Sequence, residues 1–251
     1  MEKWINKFEV SPGKWVYVQS ETQKAASRAI IKSLEGKWTP PYFYYHLSRS
    51  GGHVAAVNSH IEHKFFIYFD IKSFFSSINR TRVTRVLKKH YPYQEARSIA
   101  NYSTVKIKNN LESVYILPFG YSQSPYLSAM CLADSKLGKV LESINTKIVK
   151  VSVYMDDIII SSDNPLQLMI ARERVIEAMK RSNFEWSKKS ILNPSKTITV
   201  FNILLSRGSL AVTNERMDSF RREYYLTNSP FVKEGIVNYI YSVNSNQVNT
   251  L

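Results

Sequence analysis

The stretch Val149 to Ser162, VKVSVYMDDIIISS, constrains this chain most, because two adjacent carboxylates stand between two apolar runs that both read as β-strand. Val149, Val151 and Val153 alternate with polar residues, and Ile158, Ile159 and Ile160 follow the acids. This pattern predicts a β-hairpin whose tight turn is Tyr154 to Asp157, with Asp156 and Asp157 at its tip. Neighbouring carboxylates repel and are costly to ionise together, and a hard divalent cation such as Mg²⁺ makes the arrangement favourable. The plainer alternative is a solvated Asp-Asp turn.

A second acidic strand lies upstream, Phe65 to Ile78, FFIYFDIKSFFSSI, in which Asp70 ends a run rich in aromatic and β-branched residues. If the two strands lie side by side, Asp70 faces Asp156, and the cluster can hold two metal ions roughly 3.5 to 4 Å apart for an in-line phosphoryl displacement. With these residues in place the chain resembles a reverse transcriptase. Tyr154-Met155-Asp156-Asp157 is similar to the YMDD form of motif C, and Asp70-Ile71-Lys72-Ser73-Phe74-Phe75 to motif A. Leu117 to Met130, LPFGYSQSPYLSAM, resembles motif B, with Phe119 where Gln is usual. Leu192 to Thr197 resembles motif D, and Lys189-Ser190 competes for the same match.

The resemblance covers roughly residues 45 to 206. It implies an α+β right-hand polymerase: an antiparallel palm sheet backed by helices, with fingers and a very small thumb. Residues 1–64 would form the N-terminal and fingers region, 65–206 the palm with 79–116 partly fingers, and 207–251 a short helical thumb. Asp70, Ile71, Asp156 and Asp157 are implied as the metal positions for two Mg²⁺ ions, with Asp157 either a ligand or a support. Lys196 is the implied general acid for the leaving pyrophosphate. Arg49, His53, Lys72, Phe75, Phe119, Gly120 and Tyr154 are implied around the incoming deoxynucleoside triphosphate, with Lys64 behind Arg49. Phe75 takes the place of the family's steric gate, where an aromatic ring excludes a 2′-hydroxyl. The product would be DNA copied from RNA. The D-I-K-S-F-F and S-Q-S-P forms look more like bacterial retron, abortive-infection and defence enzymes, which implies antiviral defence. Phe119 leaves open a polymerase that makes a fixed or untemplated sequence, and a catalytically silent RNA-binding subunit is the alternative from another class.

Composition agrees with a polyanionic partner. The 251 residues carry 34 Lys and Arg against 20 Asp and Glu, a net charge of +14, and aromatic residues make 13%. Basic surface mixed with rings suits nucleic acid better than lipid. One cysteine, Cys131, excludes an intramolecular disulfide and a cysteine-rich zinc module. No apolar run has the length of a membrane span, and MEKWINKFEV lacks the core of a signal peptide, so a cytoplasmic protein is expected. Helices are predicted over 20–34, 79–100 and 165–182, and VFNILLS at 200–206 reads as one strand. Arg80, Arg82, Arg85, Lys88 and Lys89 on the second helix are expected either to track a nucleic-acid backbone or to form a solvated face. Gly51-Gly52 reads as a flexible turn between Arg49 and His53. The short stretch after 206 implies that a partner protein, another copy or a structured RNA helps to hold the duplex.

Overall fold

The structure, a computed structural model, describes residues 4–11, 13–47, 51–109 and 112–251. The chain opens with a hairpin, β1 (Asn6–Ser11) and β2 (Lys14–Val18), followed by α1 (Glu21–Glu35). Ser20 and Gln23 form a capping box at the start of α1, and Gly36 ends it, as the apolar spacing predicts. Gly51-Gly52 is not a free-standing turn: Gly51 caps α2 (Gly52–Asn58) at φ +86°. A β-carbon there would meet the Ala55 β-carbon at 2.8 Å, so only glycine starts this helix without strain. After β3 (Phe65–Asp70) the predicted helix over 79–100 is two, α3 (Arg80–Leu87) and α4 (Tyr93–Tyr102). Pro92 breaks it, since proline has no N–H to give and disfavours helical geometry in the residue before it.

A second hairpin, β4 (Val105–Asn109) and β5 (Glu112–Ile116), leads into α5 (Ser124–Asp134) and α6 (Lys136–Ile144). Then come β6 (Lys150–Tyr154), β7 (Asp157–Ser162), α7 (Pro165–Arg181) and β8 (Ile191–Ser195). The stretch read as one strand at 200–206 is split. β9 (Thr197–Val200) and β10 (Ile203–Ser206) flank a two-residue turn, Phe201-Asn202, with both residues at positive φ. That is the turn geometry which matches strand twist in hairpins. β11 (Ser209–Val212), α8 (Asn214–Leu226), α9 (Pro230–Val243) and a short 3-10 helix (Ser245–Thr250) follow.

The central sheet runs β6-β7-β3-β8, with every pair antiparallel. Alternation divides its two faces. Ile67, Phe69, Val151, Val153, Ile158 and Ile160 point into a core made with α3, α5, α6 and α7. Phe66, Tyr68 and Ile159 point the other way, into a second core with β9, β10, β11, α8 and α9. Burying each such side chain contributes roughly 1.5–3 kcal/mol, so the sheet is held from both sides. A third, smaller core joins Tyr17 of β2 to Val105, Ile116 and Tyr121.

One polar knot sits inside this packing. His60, fully buried, meets Ser161 Oγ through Nδ1 at 2.6 Å and Ser152 Oγ through Nε2 at 2.8 Å. Burial lowers its pKa to about 3, so the ring is neutral. His63 adds a contact to Ser161 Oγ at 2.7 Å. Among the described residues no helix is long and apolar enough to cross a membrane.

Candidate active site

The turn between β6 and β7 uses two residues, Met155 and Asp156, closed by the pair Tyr154 and Asp157. Because the turn is two residues long, Asp157 already belongs to β7. Asp70 therefore stands opposite Asp157, not opposite Asp156 as expected. Tyr154, Asp157 and Asp70 form one row across three strands, on the face that carries Tyr68. Asp156, at the turn, is tied to β3 through its carbonyl, which accepts from the Ile71 N–H at 2.9 Å. Met155 has φ +57°, a strained conformation for a side chain of its size that costs about 1–2 kcal/mol. Its N–H donates to His46 Nδ1 at 3.0 Å, and burial lowers the His46 pKa to about 4, leaving that nitrogen free to accept.

Charge is crowded along this row. Burial raises the Asp157 carboxyl to about 7; the Tyr68 hydroxyl, donating to Asp157, opposes the rise, and the charges of Asp156 and Asp70 add to it. Asp156 is also raised, first by burial and then by Asp70, with Lys14 and Lys189 pulling it down. Among the described residues no three acid, histidine or cysteine side chains are close enough together to hold a metal ion as they stand. The chemistry of the donors nevertheless suits a divalent cation: three hard carboxylates at one end of the sheet, close enough that the charge of Asp70 raises both Asp156 and Asp157. Asp70, Asp156 and Asp157 would hold it. Ile71 gives its N–H to Asp156 and its side chain to the core, so its carbonyl is the group left for a metal.

The other expected positions divide. Phe75 and Phe119 are brought together edge to face, ring centroids 4.7 Å apart, with Lys14 Nζ 4.4 Å from the Phe119 ring. Gly120 has φ +94°, and a β-carbon on it would lie 2.4 Å from the Tyr17 carbonyl oxygen, so the close approach at this glycine is made by β2. Tyr17 N–H donates to the Phe119 carbonyl at 2.9 Å, fixing β2 onto this turn. Lys72 is exposed and ion-paired with Glu185 at 3.0 Å. His53 faces away from Phe75: its ring packs against Tyr154 and Phe201, and its Nε2 lies 3.3 Å from the Tyr239 hydroxyl. These rings line a cavity of about 560 Å³ between the hairpin tip and α9. Arg49 lies outside the described residues.

The two competing lysines separate clearly. Lys196 is exposed beyond β8, at the end where Ser195 pairs with Phe66, four residues along β3 from Asp70. That is about 13 Å at strand spacing. Lys189 lies at the Asp70 end, next to Ser190, whose Oγ accepts from the Asp70 N–H at 3.0 Å, and its charge acts on both Asp156 and Asp157. The cations of α3, with Lys88 and Lys89 just after it, are on the helical side of the sheet. Arg80 stacks over Tyr115, Lys88 lies over Tyr93, and Lys89 pairs with Asp134. Arg82 donates to the Ser182 carbonyl at 3.0 Å and stacks over Phe184, while Arg85 is exposed.

Residues 5–203 match the family described as reverse transcriptase (RNA-dependent DNA polymerase). The chain belongs to the reverse transcriptase family. The structure is similar to that of the foamy viral protease-reverse transcriptase in complex with double-stranded DNA, with a TM-score of 0.52 and 18% identity over 92% of this chain and 34% of the viral one. It is likewise similar to the same viral protein in complex with RNA/DNA hybrid, with a TM-score of 0.53 and 17% identity over 95% of this chain and 28% of the other. At these identities the likeness is one of fold, and this chain spans about a third of the viral length. No curated protein matches the sequence.

Three positions in this reverse transcriptase carry part of the site without a signal in the motifs. Tyr68 engages Asp157, and only its place two residues before Asp70, on the same strand face, points to it. His46 supports the turn from a loop whose aromatic run reads as packing. Lys14 acts on Asp156 through its charge from the β1–β2 hairpin, where the sequence offers a Pro-Gly turn before an alternating strand, KWVYV, and nothing that ties it to residue 156.

Proposed function

We propose that this reverse transcriptase extends a DNA strand on an RNA template, consuming deoxynucleoside triphosphates and releasing pyrophosphate. The observation that carries the reading is the row of Asp70 and Asp157 on neighbouring strands, with Asp156 at the turn beside them. Two Mg²⁺ ions bound there would activate the primer 3′-hydroxyl and stabilise charge on the departing pyrophosphate. Asp70, Asp156, Asp157 and the Ile71 carbonyl would present the oxygen atoms, with Asp157 oriented by the Tyr68 hydroxyl. Lys189, whose charge acts on Asp157 at the same end of the sheet, would give a proton to the leaving group. Phe75, whose ring packs edge to face on Phe119, would lie under the sugar. In this reading 65–206 serve as palm, 1–64 with part of 79–116 as fingers, and 207–251 as a small thumb. The likeness of D-I-K-S-F-F and S-Q-S-P to bacterial defence enzymes supports a role in antiviral defence.

One observation favours a second reading. β2 lies on the Phe119-Gly120 turn, where the family's template-positioning Gln would stand, and untemplated synthesis needs no such reader. A labelled primer on a defined RNA, with Mg²⁺ and four deoxynucleotides, tests both. Template-complementary DNA, absent with Asp156→Asn/Asp157→Asn, supports copying. Variant-sensitive DNA of unrelated sequence supports the second reading, and synthesis that survives in the variant refutes both.

A further inference from the structure

The basic residues of α3 do not face the carboxylate row; the sheet stands between them. On the helical side, α3, the start of α6 and the end of α7 enclose a groove of about 440 Å³. Arg82, Arg85, Lys136, Lys139 and Arg181 line it. Lys136 and Lys139 are one helical turn apart, so they share a side of α6. Arg82 and Arg85 are close enough for each charge to oppose the other. One acid, Asp134, also lines the groove and pairs with Lys89, and Glu177 pairs with the lining Arg181. Among the described residues Arg85, Lys136 and Lys139 have no ion-pair partner. Gathering free cations in a concave site is unfavourable without an anion, and it builds the positive field that attracts one.

We propose that this groove is a second nucleic-acid site, which holds the backbone of a double-helical RNA segment on the opposite side of the sheet from the strand being extended. Three features select this occupant. No aromatic face is open in the groove, so unpaired bases find nothing to stack on and a duplex backbone is favoured. Its polar lining includes Thr81, Ser135 and Asn183, which both donate and accept, as a ribose 2′-hydroxyl does. None of the large exposed apolar side chains lines it, which argues against an anionic membrane, where an apolar face is buried among the lipids.

The test uses the full chain carrying Arg85→Gln, Lys136→Gln and Lys139→Gln, leaving the anchored Arg82 intact. Binding is read by fluorescence anisotropy on a labelled RNA hairpin, the matching DNA hairpin and a single-stranded RNA of equal length, each across a salt series. Cosedimentation with phosphatidylserine vesicles is run alongside. RNA-hairpin affinity is expected to fall at least about tenfold near physiological salt, with the slope of log K against log salt shallower by about two to three. The charge-preserving Arg85→Lys, Lys136→Arg and Lys139→Arg variant should bind as wild type, and both variants should melt as wild type does. Unchanged hairpin affinity and slope would overturn the proposal. So would an equal loss on the DNA hairpin or the single strand, or a loss confined to vesicles. The assay adds no nucleotide, so its result does not depend on the polymerase reading, and primer extension on a short duplex judges that reading separately.

Discussion

Asp157→Asn removes a charge that the metal-free fold resists. The carboxyl is raised from 3.8 to about 7, chiefly by burial, with Asp156 and Asp70 adding to it. The folded value lies above the unfolded one, so the folded state holds the proton more tightly. That stabilisation is complete below about pH 4 and is lost as the pH rises through about 7. The full gap corresponds to about 4 kcal/mol, and partial access of water brings it to about 2–3 kcal/mol. Asn keeps an oxygen to accept from Tyr68, so the hydrogen bond need not be lost with the charge. At about pH 8 in chelator, the variant should therefore melt about 4–12 °C above wild type, and at about pH 4 the two should coincide. Saturating Mg²⁺ should raise the wild-type midpoint and narrow the difference, because the cation favours the ionised carboxylate. Thermal melts followed by circular dichroism across pH, with chelator and with Mg²⁺, measure this directly. A variant no more stable than wild type at about pH 8, or one whose advantage does not change with pH, would refute the reasoning.

Gly120→Ala should lower stability by roughly 2–4 kcal/mol in chemical denaturation, because it combines a positive φ with a β-carbon 2.4 Å from the Tyr17 carbonyl oxygen; a loss under about 0.5 kcal/mol would mean that β2 does not sit on this turn. Lys189→Gln should slow single-turnover nucleotide addition by about a hundredfold or more. Lys196→Gln should leave that rate within about threefold of wild type, and the reverse ranking would restore Lys196 to the general-acid role.

Asp70 and the YMDD turn were legible because each interrupts a strongly apolar strand, and the divided sheet faces follow from the same alternation. Their exact pairing was not, since the sequence does not say whether the turn takes two residues or four, and that choice decides which acid faces Asp70. Pro92 stands inside the stretch 79–100, whose apolar spacing on both sides of the proline reads as one helix. The Phe201-Asn202 turn was hidden because Phe at positive φ is not a turn signal; the neighbouring strands impose it. Lys189 and Lys196 stand seven positions apart in sequence, and only the pairing of β8 with β3 shows which one reaches the acids. The same limit applies to the basic residues of α3: their charge was plain, while the side of the sheet they occupy depends on packing between distant segments.

The buried His60 bears on strand slippage. Val151 and Val153 on β6, like Ile158 and Ile160 on β7, repeat at intervals of two. Sliding a strand by two residues would keep every side chain on its proper face at little loss of apolar burial. Such a slide would part Ser152 and Ser161 from the imidazole, leaving interior polar atoms unsatisfied at about 1–3 kcal/mol each. His60 lies five positions before Phe65, so the same contacts index β7 against β3. Without that index Asp157 could settle about 7 Å along the strand from Asp70, and a hairpin with its full complement of valine and isoleucine would still present its acids out of step.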